Sequence, residues 1–159
     1  MTLNIDKMLD SVGWKLLTLL QEDARRSYSE LGRAVGLSAP SVAERVRRME
    51  EAGIISGYHA MVNPQKVGFP VLALIRLSGV SDQAPRVAEA LKGTPEVLEC
   101  LRVTGNDSYV IKLIARSIGD LEASIDRLLP FGVVTTSLVL SAPVPYRVLQ
   151  APAEATDGD

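Results

Sequence analysis

Cysteine and histidine are almost absent from this chain: Cys100 and His59 are the only examples in 159 residues. One cysteine excludes an intramolecular disulfide and a cysteine-rich zinc site, and a single histidine is poor material for a metal centre or for acid-base chemistry. No metal, no cofactor and no catalytic residue is therefore expected. Cys100 lies among Leu98, Leu101 and Val103, a setting that predicts a buried structural thiol. No run approaches the roughly 18 apolar residues of a membrane helix. The amino terminus also lacks the charged, apolar and cleavage regions of a secretory leader, so a cytoplasmic protein without a membrane partner is expected.

Hydrophobic residues make up 47% of the chain and the formal net charge is -2, which supports a packed core and leaves room for one small and one medium domain. The most patterned stretch runs from Ser29 to Tyr58. Ser27 and Glu30 fit a capping box that opens a helix through Val35, with Leu31, Ala34 and Val35 on its inner side. Gly36 supplies a left-handed stop. Ser38 caps the next helix and Pro40 stands early in its first turn, where a missing amide does little harm. That helix, Ala39 to Ala52, places Val42, Val46 and Met49 on one stripe by their spacing. A strand is expected to follow it.

Two short helices about a tight turn form a helix-turn-helix, whose second helix has the size of the DNA major groove. Between Ala24 and Arg48 six basic residues (Arg25, Arg26, Arg33, Arg45, Arg47, Arg48) face two acidic ones (Glu30, Glu44). Double-stranded DNA is the partner this pattern fits. Arg25, Arg26, Arg45 and Arg48 are candidates for phosphates, Ser41, Glu44 and Arg47 for base edges, and Ser38 and Pro40 complete the predicted contact surface. Arg45 also has an alternative role, an ion pair with an acidic residue of a neighbouring helix. The helix before the pair, Asp10 to Glu22, is predicted to bury Val12, Leu16, Leu19 and Leu20, leaving Trp14 and Leu17 outward for a possible subunit contact.

Beyond residue 70 the periodicity changes to alternation. Val71–Leu77 reads as a strand, Gln83–Leu91 as a helix, Val97–Val103 and Tyr109–Ala115 as strands about a turn, Ile118–Leu129 as a helix and Val133–Leu140 as a last strand. This order is the split βαβ, or ferredoxin-like, layout with two helices on one sheet face. The opposite face, with Leu72, Leu74 and Val110, calls for a second copy to cover it. At the turn, Gly105 permits a tight backbone, and the amides and hydroxyls of Thr104, Gly105, Asn106, Asp107, Ser108 and Tyr109 are candidates for holding a small charged ligand. Thr135, Thr136 and Ser137 on the last strand are further candidates. A plain polar turn and an edge of hydroxyls is the competing reading. Ala151–Asp159 is small and acidic and reads as disordered, after a stiff exit through Pro143, Pro145 and Pro152.

The residues from Leu9 to about residue 142 resemble the leucine-responsive regulatory protein/AsnC family, the feast/famine regulators. Ala24 and Arg25 match its "DAR" segment, Leu37 and Ser38 its "LS" turn, Arg45, Val46, Gly53, Ile54 and Ile55 the "RV...GVI" that leads onward, and Asn63, Pro64 and Gly68 its linker. Gly13 stands where the family usually has Asp. The resemblance implies an α+β chain: a winged helix-turn-helix domain with linker strand over residues 1–62, a ferredoxin-like effector-binding and oligomerisation domain over 63–147, and a flexible acidic tail over 148–159. It further implies a transcriptional regulator, not an enzyme, that binds an amino acid or related metabolite at subunit junctions as a homodimer assembling to a tetramer or octamer. Thr104, Gly105 and Tyr109 match the family's T-G-x-x-D-aromatic motif, whereas Ser108 replaces its Asp and Asp107 comes one position early. Two other classes share the layout: a siroheme decarboxylase-like enzyme, and an assembly module without DNA binding.

Overall fold

The computed structural model describes residues 5–80 and 84–152. The chain divides into two compact units: residues up to Ala60 together with those from Val144 onward, and Met61–Pro143. Gln83, where a helix was expected to begin, and residues 153–159 of the expected tail lie outside the described residues.

In the first unit, helix α1 spans Ile5–Met8, α2 Ser11–Glu22, α3 Tyr28–Val35 and α4 Ala39–Glu51. The caps fall where the sequence places them. Ser27 Oγ accepts from the Glu30 amide while the Glu30 carboxylate accepts from the Ser27 amide at 2.8 Å, and Gly36 ends α3 at φ 74°. Ser38 Oγ accepts from the Ser41 amide to start α4, with Pro40 in its first turn. Leu16, Leu31, Val42 and Val46 are fully buried and form the core with Leu20. Burying one such side chain contributes about 1.5–3 kcal/mol.

Helix α2 departs from its predicted stripe. Gly13, Leu16, Leu17 and Leu20 are buried, while Val12 and Leu19 only border the core and Trp14 is half-buried rather than outward. The reason is that the apolar arc of α2 is broad, running from Val12 and Leu19 round to Leu17 opposite a polar stripe of Ser11, Lys15, Thr18 and Glu22, so its neighbours choose which part of that arc is buried. The Met8 carbonyl and the Met49 side chain close over Gly13, and a Cβ there would lie 1.9 Å from the Met8 oxygen.

The strand expected after α4 is not formed. Ile54 and Ile55 donate their amides to the Met49 carbonyl, Tyr58 donates its hydroxyl to Glu50 at 2.8 Å, and the chain reaches a 3-10 turn at Pro64–Val67 without a ladder. Every described strand belongs to the second unit, so this segment has no strand in its own unit to pair with.

Residues 144–152 return to the first unit. There the Gln21 side chain acts as a short piece of sheet edge: its amide donates to the Leu149 carbonyl at 3.0 Å and its oxygen accepts from the Leu149 amide at 2.8 Å. Gln21→Ala is expected to speed hydrogen exchange of the Leu149 amide about tenfold or more, given two hydrogen bonds of ordinary net strength. Mass-spectrometric exchange on the two proteins checks this, and equal rates would show that the contact holds nothing.

The second unit is a four-stranded antiparallel sheet ordered β2-β3-β1-β4, with β1 Val71–Ser78, β2 Val97–Arg102, β3 Asp107–Ala115 and β4 Val133–Leu138. Helices α5 Ala84–Lys92 and α6 Ile118–Leu128 supply the connections of the ferredoxin-like layout. Ala73, Ile75 and Leu77 of β1 and Tyr109, Ile111, Leu113 and Ala115 of β3 point to one face and pack with Val87, Leu91, Leu121 and Leu128. Alternation then sends Leu72, Leu74 and Arg76, paired across β3 with Ile114, Lys112 and Val110, to the other face. Leu74 is 40% exposed, whereas Leu72 and Val110 are half-buried. Cys100 is exposed, contrary to expectation, because β2 is an edge strand whose residues beyond Val97 are all exposed.

Candidate nucleic-acid interface and effector turn

The helix-turn-helix owes its rigidity to a residue that sequence reading passed over. Gly32 lies inside α3, and its carbonyl accepts from the amides of Gly36 and Leu37. A Cβ on Gly32 would meet the Leu37 carbonyl oxygen at 2.4 Å, so only glycine lets the turn fold back this closely. A glycine inside a helical pattern was the available signal, since its cost there needs a packing reason.

Val42, Val46 and Met49 fix α4 by their inner stripe at 0–1% exposure. Pro40, Ser41, Arg47 and Arg48 stand exposed on the outer side, with Glu44 and Arg45 half-exposed beside them. Ser38 and Ser41 share a hydroxyl–hydroxyl bond of 2.8 Å at the start of the helix. The sequence therefore brings the predicted contact residues of α4 onto one accessible surface. Helix α3 contributes less, because Arg25 and Arg26 precede it in the α2–α3 connection.

Charge on this surface differs from the bare count of basic residues. Arg45 forms a two-pronged pair with Asp10, at 2.9 and 3.0 Å, across 35 residues of sequence. Arg47 donates to Glu44 at 2.8–3.0 Å and also to Glu51, and Arg48 donates to Glu44 at 2.8 Å. Arg26 pairs with Glu22 at 3.4 Å. Of the six arginines in the stretch, only Arg25 and Arg33 make no ion pair among the described residues. Hydrogen bonds from Arg47 and then Arg48 hold the Glu44 carboxyl below its ordinary range.

Asp10 has two duties. It caps α2 by accepting from the Gly13 amide at 2.7 Å and anchors Arg45. The Arg45 hydrogen bond, then the Gly13 amide, hold its carboxyl below the usual range. A depressed folded pKa adds stability that is present above the unfolded value and is lost as pH falls through the folded one. Asp10→Asn keeps a capping oxygen but removes the ion pair. It is expected to cost at most about 1 kcal/mol near neutral pH after solvent screening, with the difference from the parent shrinking as pH falls from neutral through the carboxyl's lowered range. Thermal melts over that range check the sign, and a gap that widens toward acid would contradict it.

The hairpin turn between β2 and β3 is closed by the Val103 amide donating to the Ser108 carbonyl at 3.1 Å, with Gly105 at φ 106°. Thr104, Gly105 and Asn106 form its exposed tip. Asp107 reaches to 4.0 Å from Arg76. Tyr109 does not join them: it is 7% exposed and packs with the helix-side core, because alternation from Ile111 sends it inward. Thr135 pairs in register with Arg76 and Ser137 with Leu74 on the open face, whereas Thr136 pairs with Ile75 on the helix side. Strand β1 separates β4 from β3, putting about 10 Å of sheet between the two groups of hydroxyls. Within one protomer they form no common pocket. Recesses of about 270 Å³ (Leu20, Ala24, Arg26, Ser27, Tyr28, Tyr58) and about 550 Å³ (Arg86, Glu89, Ala90, Pro130, Phe131) both lie away from the turn. Among the described residues, no group of three or more His, Cys, Asp or Glu could hold a metal ion, and no helix is long and apolar enough to cross a membrane.

A capped helix-turn-helix followed by a ferredoxin-like sheet defines a DNA-binding module joined to a module of another kind. Comparison with known proteins narrows this class. Residues 9–50 match the AsnC-type helix-turn-helix domain and residues 71–149 the Lrp/AsnC ligand binding domain. The uncharacterized HTH-type transcriptional regulator YezC of Bacillus subtilis is 39% identical over 134 residues, 84% of this chain and 95% of that protein. The solved structure of B. subtilis LrpC superposes with a TM-score of 0.81 at 32% identity, covering 84% of this chain and 96% of LrpC. A second, transcriptional regulator NMB0573 of Neisseria meningitidis in complex with L-Met, gives 0.82 at 29% identity, covering 89% and 96%. The chain belongs to the Lrp/AsnC family of helix-turn-helix transcriptional regulators.

Proposed function

We propose that α4 enters the DNA major groove, that the sheet units pair through their open faces, and that an amino acid or related small metabolite bound between protomers at the β2–β3 turn changes their assembly. The observation that carries the reading is the division of α4 into a fully buried stripe and an outer surface of Ser41, Glu44, Arg47 and Arg48. Base-edge contacts fall to Ser41, Glu44 and Arg47, and backbone contacts to Arg25, Arg26, Arg48 and the Ser38–Pro40 helix start. Arg45 serves DNA only indirectly while Asp10 holds it, by fixing α4 against α2.

The open face carries Leu72, Leu74 and Val110, with Leu101 paired to Val110 from β2. Covering it with a second copy removes this apolar surface from water and gives a two-fold dimer, from which tetramers or octamers can be built. Such pairing also supplies the second wall that the turn lacks in one protomer. The L-Met complex of NMB0573 supports an amino acid as the ligand class. Ser108, in place of the family's Asp, removes a carboxylate that would meet an ammonium group. Two-fold heads favour near-palindromic operators with half-sites separated by whole helical turns, and a ligand shifts their spacing only by binding one assembly better than another. A cytoplasmic location fits this work.

Duplexes selected from a random pool should carry paired half-sites. Sedimentation and footprint spacing are then measured with each of the twenty amino acids. At least one is expected to change both. No change with any amino acid at saturation would reject an amino-acid effector, and a monomer in sedimentation would reject the paired sheets.

A further inference from the structure

We propose that Glu44 is a specificity-determining residue of α4, one that keeps Arg47 and Arg48 from unselective phosphate binding and yields them only where a cytosine amino group takes their place. This deepens the DNA-binding reading and rests on it.

The geometry is a shared carboxylate. Glu44 receives Nε and Nη2 of Arg47 and Nε of Arg48, while Glu51 takes Nη1 of Arg47. Two guanidinium and two carboxylate groups cancel, so the outer surface of α4 meets DNA without the charge that its arginines alone would present. Each pair is exposed and spans three or four residues of the helix, and pairs of that kind are weak enough to be exchanged.

Exchange has a different outcome at different sequences. An arginine that leaves for a phosphate strands the Glu44 carboxylate beside a polyanion, a repulsive arrangement. An arginine that leaves for the O6 and N7 of guanine strands nothing if a neighbouring cytosine offers its N4 amine, for which a carboxylate is a suitable acceptor. The device thus penalises wrong sites as well as rewarding the right one. G·C pairs under the second and third turns of α4 are the sequence class it selects.

The test measures full-length wild type, Glu44→Gln and Glu44→Asp by fluorescence anisotropy on a mixed-sequence duplex and on the duplex selected by wild type, across a salt series. Glu44→Gln is expected to bind the mixed duplex roughly fivefold tighter per protomer, the factor for one unit charge interacting through water at contact. Its salt dependence should steepen by about 0.9 in slope for Arg48, which loses its only partner while Glu51 still holds Arg47, and its preference for the selected duplex should shrink. Glu44→Asp, which keeps the charge, should keep the wild-type salt slope on the mixed duplex. Unchanged slope and preference in Glu44→Gln, or a Glu44→Asp variant that behaves like it, would overturn the proposal. Failure of wild type to bind either duplex would instead overturn the DNA-binding reading beneath it.

Discussion

Replacing both Arg47 and Arg48 by alanine is expected to weaken binding to the selected operator by about two to four orders of magnitude, from the loss of one base-edge fork and one phosphate contact. The effect should exceed that of the same arginines on a helix without acids. Glu44 and Glu51 lose their partners in the variant, so the outer surface of α4 becomes anionic and repels the duplex. Thermal stability should hardly move, since Arg47 and Arg48 are exposed and their ion pairs are solvated. Anisotropy titrations together with a melt separate the two effects. Retained operator affinity would show that another surface reads the DNA, while a large drop in melting temperature would show that the network is structural.

Gly32→Val carries the second large effect, on stability first and function second. The new side chain would have to occupy space where the Leu37 carbonyl stands 2.4 Å from the Cβ position. Backbone supplies that contact, so the turn itself must yield. Overpacking of this kind costs about 2–3 kcal/mol, and in a unit of under 100 residues such a loss lowers the melting temperature by roughly 10–20 °C. Because Leu37 leads directly into the Ser38 cap, displacement of the turn also re-aims α4, and DNA binding should fall at temperatures where the unit is still folded. A variant with unchanged melting and unchanged DNA affinity would mean that the turn has slack the structure does not display.

The helix-turn-helix was legible because its boundaries are local chemistry. Ser27 with Glu30, Gly36, and Ser38 with Pro40 each act within four residues, and the structure forms all of these caps. The sheet was equally legible, since Ile75, Leu77, Ile111 and Leu113 alternate with outward neighbours and a one-residue slip would expose them all. Where apolar residues surround an element, the pattern no longer selects a face. Gly13 of α2 is buried under Met8 of α1 and Met49 of α4, information that the α2 sequence does not contain.

Interactions distant in sequence were the least legible part of the candidate site. Arg45 with Asp10 and Gln21 with Leu149 span 35 and 128 residues, and nothing in either local sequence names its partner. The arginine excess between residues 24 and 48 looked cationic because Asp10, Glu22 and Glu51, which neutralise it, fall outside that window. Tyr109 matched a binding motif by identity, yet its parity with Ile111 along β3 decides that it faces the core. Cys100 had apolar neighbours in sequence but sits on an edge strand, where sequence neighbours provide little cover.

The most direct test of the account is a nuclear magnetic resonance titration of the full-length protein with a mixed-sequence duplex at low salt. Backbone amides from Ser38 to Arg48 should shift first and furthest, with Arg25 and Arg26 following and the four strands nearly silent. Shifts concentrated in β1–β4, or none in α4 at saturating duplex, would contradict the claim that this helix is the DNA-reading element.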